Sequence, residues 1–238
     1  MKRMIIEYIK KKTRNTKKYS IHGFLKVYVL QPLPENVELS YVIDKIQNNI
    51  PKNFFYNIDG IYITNIPEFE EREINALHKD GVIYITPEQD DNEDLIDDIV
   101  HEVGHAVEKY YEKEIYSERS IEKEFLGKRM RLYDLLKADD QNPDILLFKD
   151  IYFSREMDDY FYKNVGYDRL SAHTMGLFTS PYAPTSLSEY FAEGFEEYFI
   201  GDRKYIKNIS PLLYKKIKML HDLDSLEDWL YGFWSKSR

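Results

Sequence analysis

The stretch "DDIVHEVGHAVEKYY" (Asp97–Tyr111) carries two histidines four residues apart, with a glutamate directly after the first. Its apolar residues recur at helical spacing, which predicts an amphipathic helix. On a helix, His101 and His105 lie one turn apart and about 40° apart around the axis, so both imidazoles can reach one metal ion. Glu102 can accept a proton from a water on that ion. The stretch therefore predicts an HExxH metal site, and an ordinary amphipathic helix is the alternative.

The amino-acid composition limits the kinds of site that the chain can form. Its 238 residues, 43% of them hydrophobic, are enough for a domain with a sizeable core. The net charge of -9 argues against a nucleic-acid partner, because proteins that bind a duplex normally present a basic face. The absence of cysteine excludes disulfides, thiolate metal sites and a cysteine nucleophile. A bound metal must therefore have histidine and carboxylate ligands.

The N-terminal residues 1–20 are rich in lysine and arginine. They predict a basic arm or helix, with a membrane-surface patch as the alternative. No apolar run reaches the length of a signal peptide or of a transmembrane helix. We therefore expect no transmembrane span and a cytoplasmic location, while leaderless export or release stays open.

Strands are predicted in the first half of the chain and helices mainly in the second. Apolar and β-branched runs bounded by glycine or proline predict strands at Gly23–Leu33, Gly60–Ile66 and Gly81–Pro87. Helical spacing and capping residues predict further helices at Val37–Pro51, at Ser117–Ala138, from Ser186 and from Ser210. This order of elements predicts an α+β fold.

Neither an internal repeat nor a linker interrupts the sequence. Residues 1–238 are therefore expected to form a single domain with two lobes. The N-terminal lobe, at residues 21–117 in this interpretation, contains the HExxH helix. The C-terminal lobe, at residues 118–238, is expected to be mostly helical and to supply the remaining metal ligand.

A second stretch, "SPYAPTSLSEYFAEGFEEYF" (Ser180–Phe199), offers that ligand. Ser186 or Ser188 can cap a helix on which Glu189 and Glu193 lie one turn apart, beside an apolar face. Two carboxylates on such a flank are costly to bury without a cation, and a zinc site with two histidines needs a third ligand. We assign Glu189 as this ligand and Glu193 as an acceptor for the free N–H of a ligand histidine. The alternative is that both are solvated helix carboxylates.

The two stretches together resemble the gluzincin-type lethal-factor family. The resemblance is carried by "HEVGHAVE", by "SEYFAEGF" and by a tyrosine, Tyr182, seven residues before Glu189. That family includes the catalytic domain of anthrax lethal factor and the Pro-Pro endopeptidases. The resemblance covers the region from Val37 to Tyr198 and implies a zincin-like metallopeptidase fold. In that fold a small twisted sheet and the active-site helix form the N-terminal lobe.

The resemblance also implies a function and a role for each site residue. It implies a zinc-dependent endopeptidase that acts on a protein or peptide substrate and holds one Zn²⁺ per chain. The implied ligands are His101, His105 and Glu189, with Glu102 as the general base. Tyr182 then takes the role of steadying the oxyanion, which a phenol O–H can do.

Three points remain open at the level of sequence. His105 and Glu189 are 84 residues apart, farther than in the family, so the segment at 117–167 is expected to be an insertion of undetermined role. His173 is a candidate auxiliary residue at the oxyanion, with a structural histidine as the alternative. The strand at Gly81–Thr86 is expected to be the sheet edge that pairs with an extended substrate.

Two other functions are compatible with the same residues. One is a non-catalytic interaction protein with a zinc-stabilised fold. The other is a zinc hydrolase of a non-peptide substrate. The family's preference for cleavage beside proline is not carried over, because no residues that would encode it are recognised.

Overall fold

The structure is a computed structural model that describes residues 19–72 and 74–222. The chain is an α+β protein, as predicted. The described residues divide into two compact units, and the division falls between Val107 and Glu108. The predicted basic arm or helix at residues 1–20 lies outside the described residues except for Tyr19 and Ser20, which belong to a strand instead. No helix in the described part of the chain is long and apolar enough to cross a membrane.

The first unit contains a mixed sheet of five short strands. They are β1 (Tyr19–Ile21), β2 (Leu25–Val29), β3 (Gly60–Ile63), β4 (Ala76–Lys79) and β5 (Val82–Ile85). The order across the sheet is β1-β2-β3-β5-β4. The three central strands are parallel, and β1 and β4 pair antiparallel at the two edges. The three predicted strands are confirmed, each shorter than expected.

The expectation that Gly81–Thr86 forms a sheet edge is wrong. Strand β5 lies between β3 and β4, and the edge strand is β4. The reason is the turn that joins them: Asp80 and Gly81 have φ angles of 52° and 79°, and Lys79 pairs directly with Val82. Two positive φ angles give the tight hairpin turn whose twist matches paired strands, so the chain adds β4 outside β5.

The core of the first unit is formed by one sheet face and by the apolar stripes of two helices. The central strands bury an alternate row of isoleucines, as expected where successive side chains point to opposite faces: Ile61, Ile63, Ile83 and Ile85. The helices are α1 (Leu39–Asn49) and α3 (Asn92–Tyr110), with a 3₁₀ turn (Lys52–Phe55) and α2 (Pro67–Arg72) between them. The last three residues of α3, from Glu108, belong to the second unit. The HExxH stretch therefore lies on a 19-residue helix with a fully buried side, as the sequence predicts.

The described part of the second unit contains helices and no strand. They are α4 (Glu112–Tyr116), α5 (Ser120–Ala138), α6 (Ile145–Lys149), α7 (Arg155–Asp159), a π-helix (Tyr160–Val165), α8 (Tyr167–Thr174), a 3₁₀ turn (Ala183–Thr185), α9 (Leu187–Phe199), α10 (Arg203–Ile209) and α11 (residues 211–222). The predicted long helix begins at Ser120 because Arg119, with φ 55°, separates α4 from α5.

Part of the segment expected to be an insertion is anchored inside the second unit. The guanidinium of Arg129, 1% exposed, donates to the carbonyl oxygens of Asp150 and Leu147 and lies against two phenylalanine rings. The backbone N–H of Leu187 donates to the carbonyl of Ile151 at 2.8 Å. Residues 147–151 of the segment therefore pack against α5, in the same segment, and against the first residue of α9.

Gly194 allows close packing of α9 against its neighbours in the second unit. A Cβ at this position would overlap the side chain of Leu213 and lie 3.3 Å from Cδ1 of Ile206. We expect Gly194→Ala to lower the free energy of unfolding by about 1–2 kcal/mol, because overpacking outweighs the better helix propensity of alanine. Urea unfolding measures the change.

The matched control is Gly127→Ala on the exposed side of α5, where a Cβ would meet nothing within 4 Å. There the helix propensity of alanine acts alone and should raise stability by about 1 kcal/mol. Equal effects of the two substitutions would contradict the packing assigned to Gly194.

Candidate functional site

The two histidines of α3 lie close enough together to chelate one ion. Both are half-buried, and their Nε2 atoms are 3.2 Å apart with ring planes at 78°. Two nitrogens bound to one zinc at about 2.0–2.1 Å in tetrahedral geometry are about 3.3 Å apart. The distance between His101 and His105 therefore matches that required by zinc. It also fits an N–H···N hydrogen bond in the metal-free chain.

Glu102 is buried, with 7% of its surface exposed, and is oriented by the edge strand. Its Oε2 accepts a hydrogen bond from the backbone N–H of His78 in β4 at 2.5 Å. Helix geometry places Glu102 beside the histidine face, and the bond from β4 fixes the carboxylate there. This contact was not expected from the sequence, because β4 itself was not predicted.

Asp98, one turn before Glu102 on α3, is an unusual carboxylate. Burial raises the pKa of Asp98 to about 6, although a hydrogen bond from Nε2 of Gln89 at 2.9 Å opposes the shift. The negative charges of Asp94 and Glu102 raise it further. The ionised form of Asp98 is therefore disfavoured in the folded, metal-free chain.

This shift predicts how the stability of the metal-free protein depends on pH. A carboxyl group whose pKa is higher in the folded chain than in the unfolded chain contributes its full stabilisation of the fold at pH values below the unfolded pKa. For Asp98 that contribution is lost as the pH rises through the folded pKa of about 6. Asp98→Asn keeps an acceptor for Gln89 and carries no charge. We expect the variant to exceed the wild type in stability by a margin that grows by about 1 kcal/mol between pH 5 and pH 8. A margin independent of pH in urea unfolding would contradict the assignment.

Helix α9 of the second unit begins as the sequence predicts. Ser186 is the N-cap, and its Oγ accepts the backbone N–H of Glu189 at 3.0 Å. Glu189 and Glu193 are both half-buried, one turn apart. The opposite side of the helix is fully buried through aromatic and small residues: Tyr190, Phe191, Ala192 and Phe195. The two carboxylates thus lie at the boundary between core and solvent.

Ser188 is not the cap but makes a different contact. Its Oγ donates to Oε2 of Glu108 at 2.5 Å, and Oε1 of Glu108 accepts the hydroxyl of Tyr116 at 2.5 Å. Burial, and then the charge of Glu108, raises the pKa of Tyr116, so its hydroxyl stays a donor. The residue next to Glu189 is therefore held by a carboxylate near the end of α3.

Tyr182 lies directly before the 3₁₀ turn that leads into α9, and both its backbone N–H and its backbone carbonyl are hydrogen-bonded. Its N–H donates to Oγ of Ser180 at 3.1 Å, and its carbonyl accepts the backbone N–H of Thr185 at 2.9 Å. The side chain is half-buried.

His173, at the end of α8, has its Nε2 3.1 Å from Oδ2 of Asp139, a contact that needs no metal.

The second unit also brings a carboxylate from α7 near Glu189. Asp158 is half-buried, and this burial raises the pKa of its carboxyl group. The negative charges of Asp159 and then of Glu189 raise that pKa further. Neither Asp158 nor Glu108 was assigned a role from the sequence. In both cases the relevant neighbour is distant in the chain, so no local spacing indicates it.

Each unit by itself contains side chains of a kind that zinc accepts. The first unit has two imidazole nitrogens at chelating distance, and the second has a half-buried carboxylate on a capped helix. Zinc sites in enzymes are built from nitrogen and oxygen donors of these kinds. Comparison of the chain with protein-family models, with curated proteins and with solved structures gives no match. The functional assignment therefore depends on the residues themselves.

Proposed function

We propose that the chain is a zinc-dependent endopeptidase with a zincin-like fold, in which His101, His105 and Glu189 bind one Zn²⁺. The observation that carries the proposal is the 3.2 Å distance between the two Nε2 atoms, with the buried carboxylate of Glu102 on the intervening residue. A histidine pair alone is compatible with a structural role. A buried glutamate directly after the first histidine is what hydrolysis by an activated water requires.

The assignment of Glu189 as third ligand is supported by the contacts of α9. Its backbone N–H is fixed by the Ser186 cap, and its neighbour Ser188 is bound by Glu108, three residues after His105 on the same helix. Three protein ligands leave a fourth position for water, as catalytic zinc sites do. The proposed zincin-like fold is supported by a mixed sheet with an antiparallel edge strand, followed by the HExxH helix.

Bound Zn²⁺ would act as a Lewis acid and lower the pKa of a water molecule toward neutrality. In the proposed mechanism Glu102 accepts a proton from the attacking water and passes it to the leaving amine. The N–H of His78 keeps the carboxylate of Glu102 in one orientation for both steps. The hydroxyl of Tyr182 donates to the oxyanion. Strand β4, with no further strand beside it among the described residues, is where an extended peptide would add to the sheet.

The proposed role of Tyr182 is testable by removal of one oxygen atom. Tyr182→Phe keeps the ring and the backbone contacts of the 3₁₀ turn, so the zinc content should stay at the wild-type level. Loss of one oxyanion donor should lower kcat by about 10²- to 10³-fold with little change in KM. Steady-state kinetics on a cleaved peptide measure this. A rise in KM with kcat unchanged would place Tyr182 in substrate binding instead.

The proposed function is tested by digestion of an unbiased peptide library with the zinc-loaded protein, using Glu102→Ala as the control. Cleavage by the wild type that is absent with Glu102→Ala, and that stops on chelation, is the expected result. If every peptide that the zinc-loaded wild type cleaves is also cleaved by Glu102→Ala, or if the wild type cleaves none, the peptidase assignment is contradicted. That outcome would leave a zinc hydrolase of another substrate or a non-catalytic zinc protein.

A further inference from the structure

Glu108 is the residue through which the end of α3 holds the start of α9. Its two carboxylate oxygens are divided between two helices, one accepting from Tyr116 in α4 and the other from Ser188 in α9. Ser188 follows Ser186, the cap, by two residues and immediately precedes Glu189. The first turn of α9 is therefore fixed at two points, one from its own cap and one from Glu108.

Glu108 also shares a face of α3 with the histidine pair. Positions i, i+4 and i+7 of a helix fall within a stripe about 60° wide, so His101, His105 and Glu108 follow one another along one side. Glu108 lies one turn beyond His105, and α3 is continuous from Asn92 to Tyr110. A shift of Ser188 relative to Glu108 would thus move Glu189 relative to the end of α3.

We infer that Glu108 is a positioning residue for metal binding: its hydrogen bond to Ser188 fixes the first turn of α9, and with it Glu189, against the end of α3, the helix that carries His101 and His105. The inference rests on the proposed zinc site. A zinc ligand must come within about 2.0–2.2 Å of the ion, so a helix shift of about 1–2 Å is enough to take a carboxylate out of bonding range. Residues that orient metal ligands typically contribute about 10- to 100-fold to metal affinity.

The alternative is that Glu108 contributes to stability alone. The hydroxyl of Tyr116 is held within the second unit, and loss of its acceptor would destabilise the fold whatever the metal does. The test therefore centres on Ser188→Ala, which removes one hydroxyl and leaves the Glu108–Tyr116 bond in place. Ser188→Thr keeps the hydroxyl, and Asp202→Ala removes the N-cap of α10, a matched loss of stability in the same unit.

The measurement is zinc affinity of the full chain by competition with a chromophoric chelator, beside the melting temperature of the metal-free protein. Ser188→Ala and Glu108→Ala are expected to lower zinc affinity by about 10- to 100-fold. The zinc affinities of Ser188→Thr and Asp202→Ala should stay within about twofold of the wild-type value. Asp202→Ala should do so although its melting temperature falls about as far as that of Ser188→Ala. Because both alanine substitutions break the same Glu108–Ser188 hydrogen bond, the double variant should bind zinc little more weakly than the weaker-binding single variant.

The outcomes separate this inference from the proposed function. Zinc bound by the wild type and equally well by Ser188→Ala and Glu108→Ala would overturn the inference and leave the zinc site standing. A weakening by Asp202→Ala equal to that by Ser188→Ala would also overturn it, because general stability would then explain both. A wild type that binds no zinc would overturn both the inference and the site.

Discussion

Glu102→Gln is expected to lower kcat/KM for peptide cleavage by about 10³- to 10⁴-fold while zinc content stays at the wild-type level. The physical reason is that glutamine cannot accept and return a proton, and general acid–base catalysis contributes up to about 10⁴-fold. The amide oxygen can still accept the N–H of His78, so the buried side chain keeps its anchor on β4. Single-turnover kinetics with a peptide from the library experiment measure the loss.

A control with the same change of charge is Glu88→Gln, at an exposed position of the first unit. It should cleave at the wild-type rate, since Glu88 has no part in the proposed mechanism. Retention of activity by Glu102→Gln together with full zinc loading would show that another group is the base. A loss of zinc in Glu102→Gln would instead indicate that Glu102 binds the metal rather than transferring a proton.

His105→Ala is expected to abolish stoichiometric zinc binding. It removes one of the two nitrogens that lie 3.2 Å apart, and chelation by the pair is lost with it. The loss of affinity should exceed the roughly 10- to 100-fold produced when a residue that only orients a ligand is removed. Native mass spectrometry after zinc loading and desalting reports the metal content of wild type and variant directly.

Thermal unfolding gives an independent readout of the same prediction. Zinc at 100 times its dissociation constant should stabilise the wild type by about 2.7 kcal/mol and raise its melting temperature, whereas His105→Ala should respond little. His173→Ala is the matched control, because His173 lies against Asp139 and is expected to leave zinc binding intact. Equal zinc responses of all three proteins would contradict the assignment of the histidine pair.

The sequence predicted the helices of the candidate site because their patterns are local. A spacing of four residues places His101 beside His105 on any helix, and the Ser186 cap is readable from the serine before an apolar run. The two glutamates of α9 follow from the same periodicity. The structure confirms both helices, the cap of α9 at Ser186, and the half-buried positions of the two histidines and the two glutamates.

The edge strand was missed because it has almost no strand signal. "ALHK" contains four residues without a clear apolar alternation, and all of them are at least partly exposed. The usable signal was the Asp80–Gly81 pair that follows it, a dipeptide typical of a two-residue hairpin turn. Recognition of that turn would have placed a strand before β5 and corrected the predicted edge.

The contacts of buried charges could not be predicted, because they join distant parts of the chain. Ser188 and Glu108 are 80 residues apart, and no pattern within α9 distinguishes Ser188 from a cap. Arg129, on a helix rich in charged residues, is 1% exposed and donates to carbonyl oxygens 18 and 21 residues away. Tertiary packing decides such cases, and one sequence does not record it.

A crystal structure of the zinc-loaded protein with an anomalous difference map at the zinc edge tests the central proposal most directly. We expect one peak per chain at about 2.0–2.2 Å from Nε2 of His101, Nε2 of His105 and a carboxylate oxygen of Glu189. An absent peak, or a zinc ion bound by the two histidines with Glu189 directed elsewhere, would contradict it.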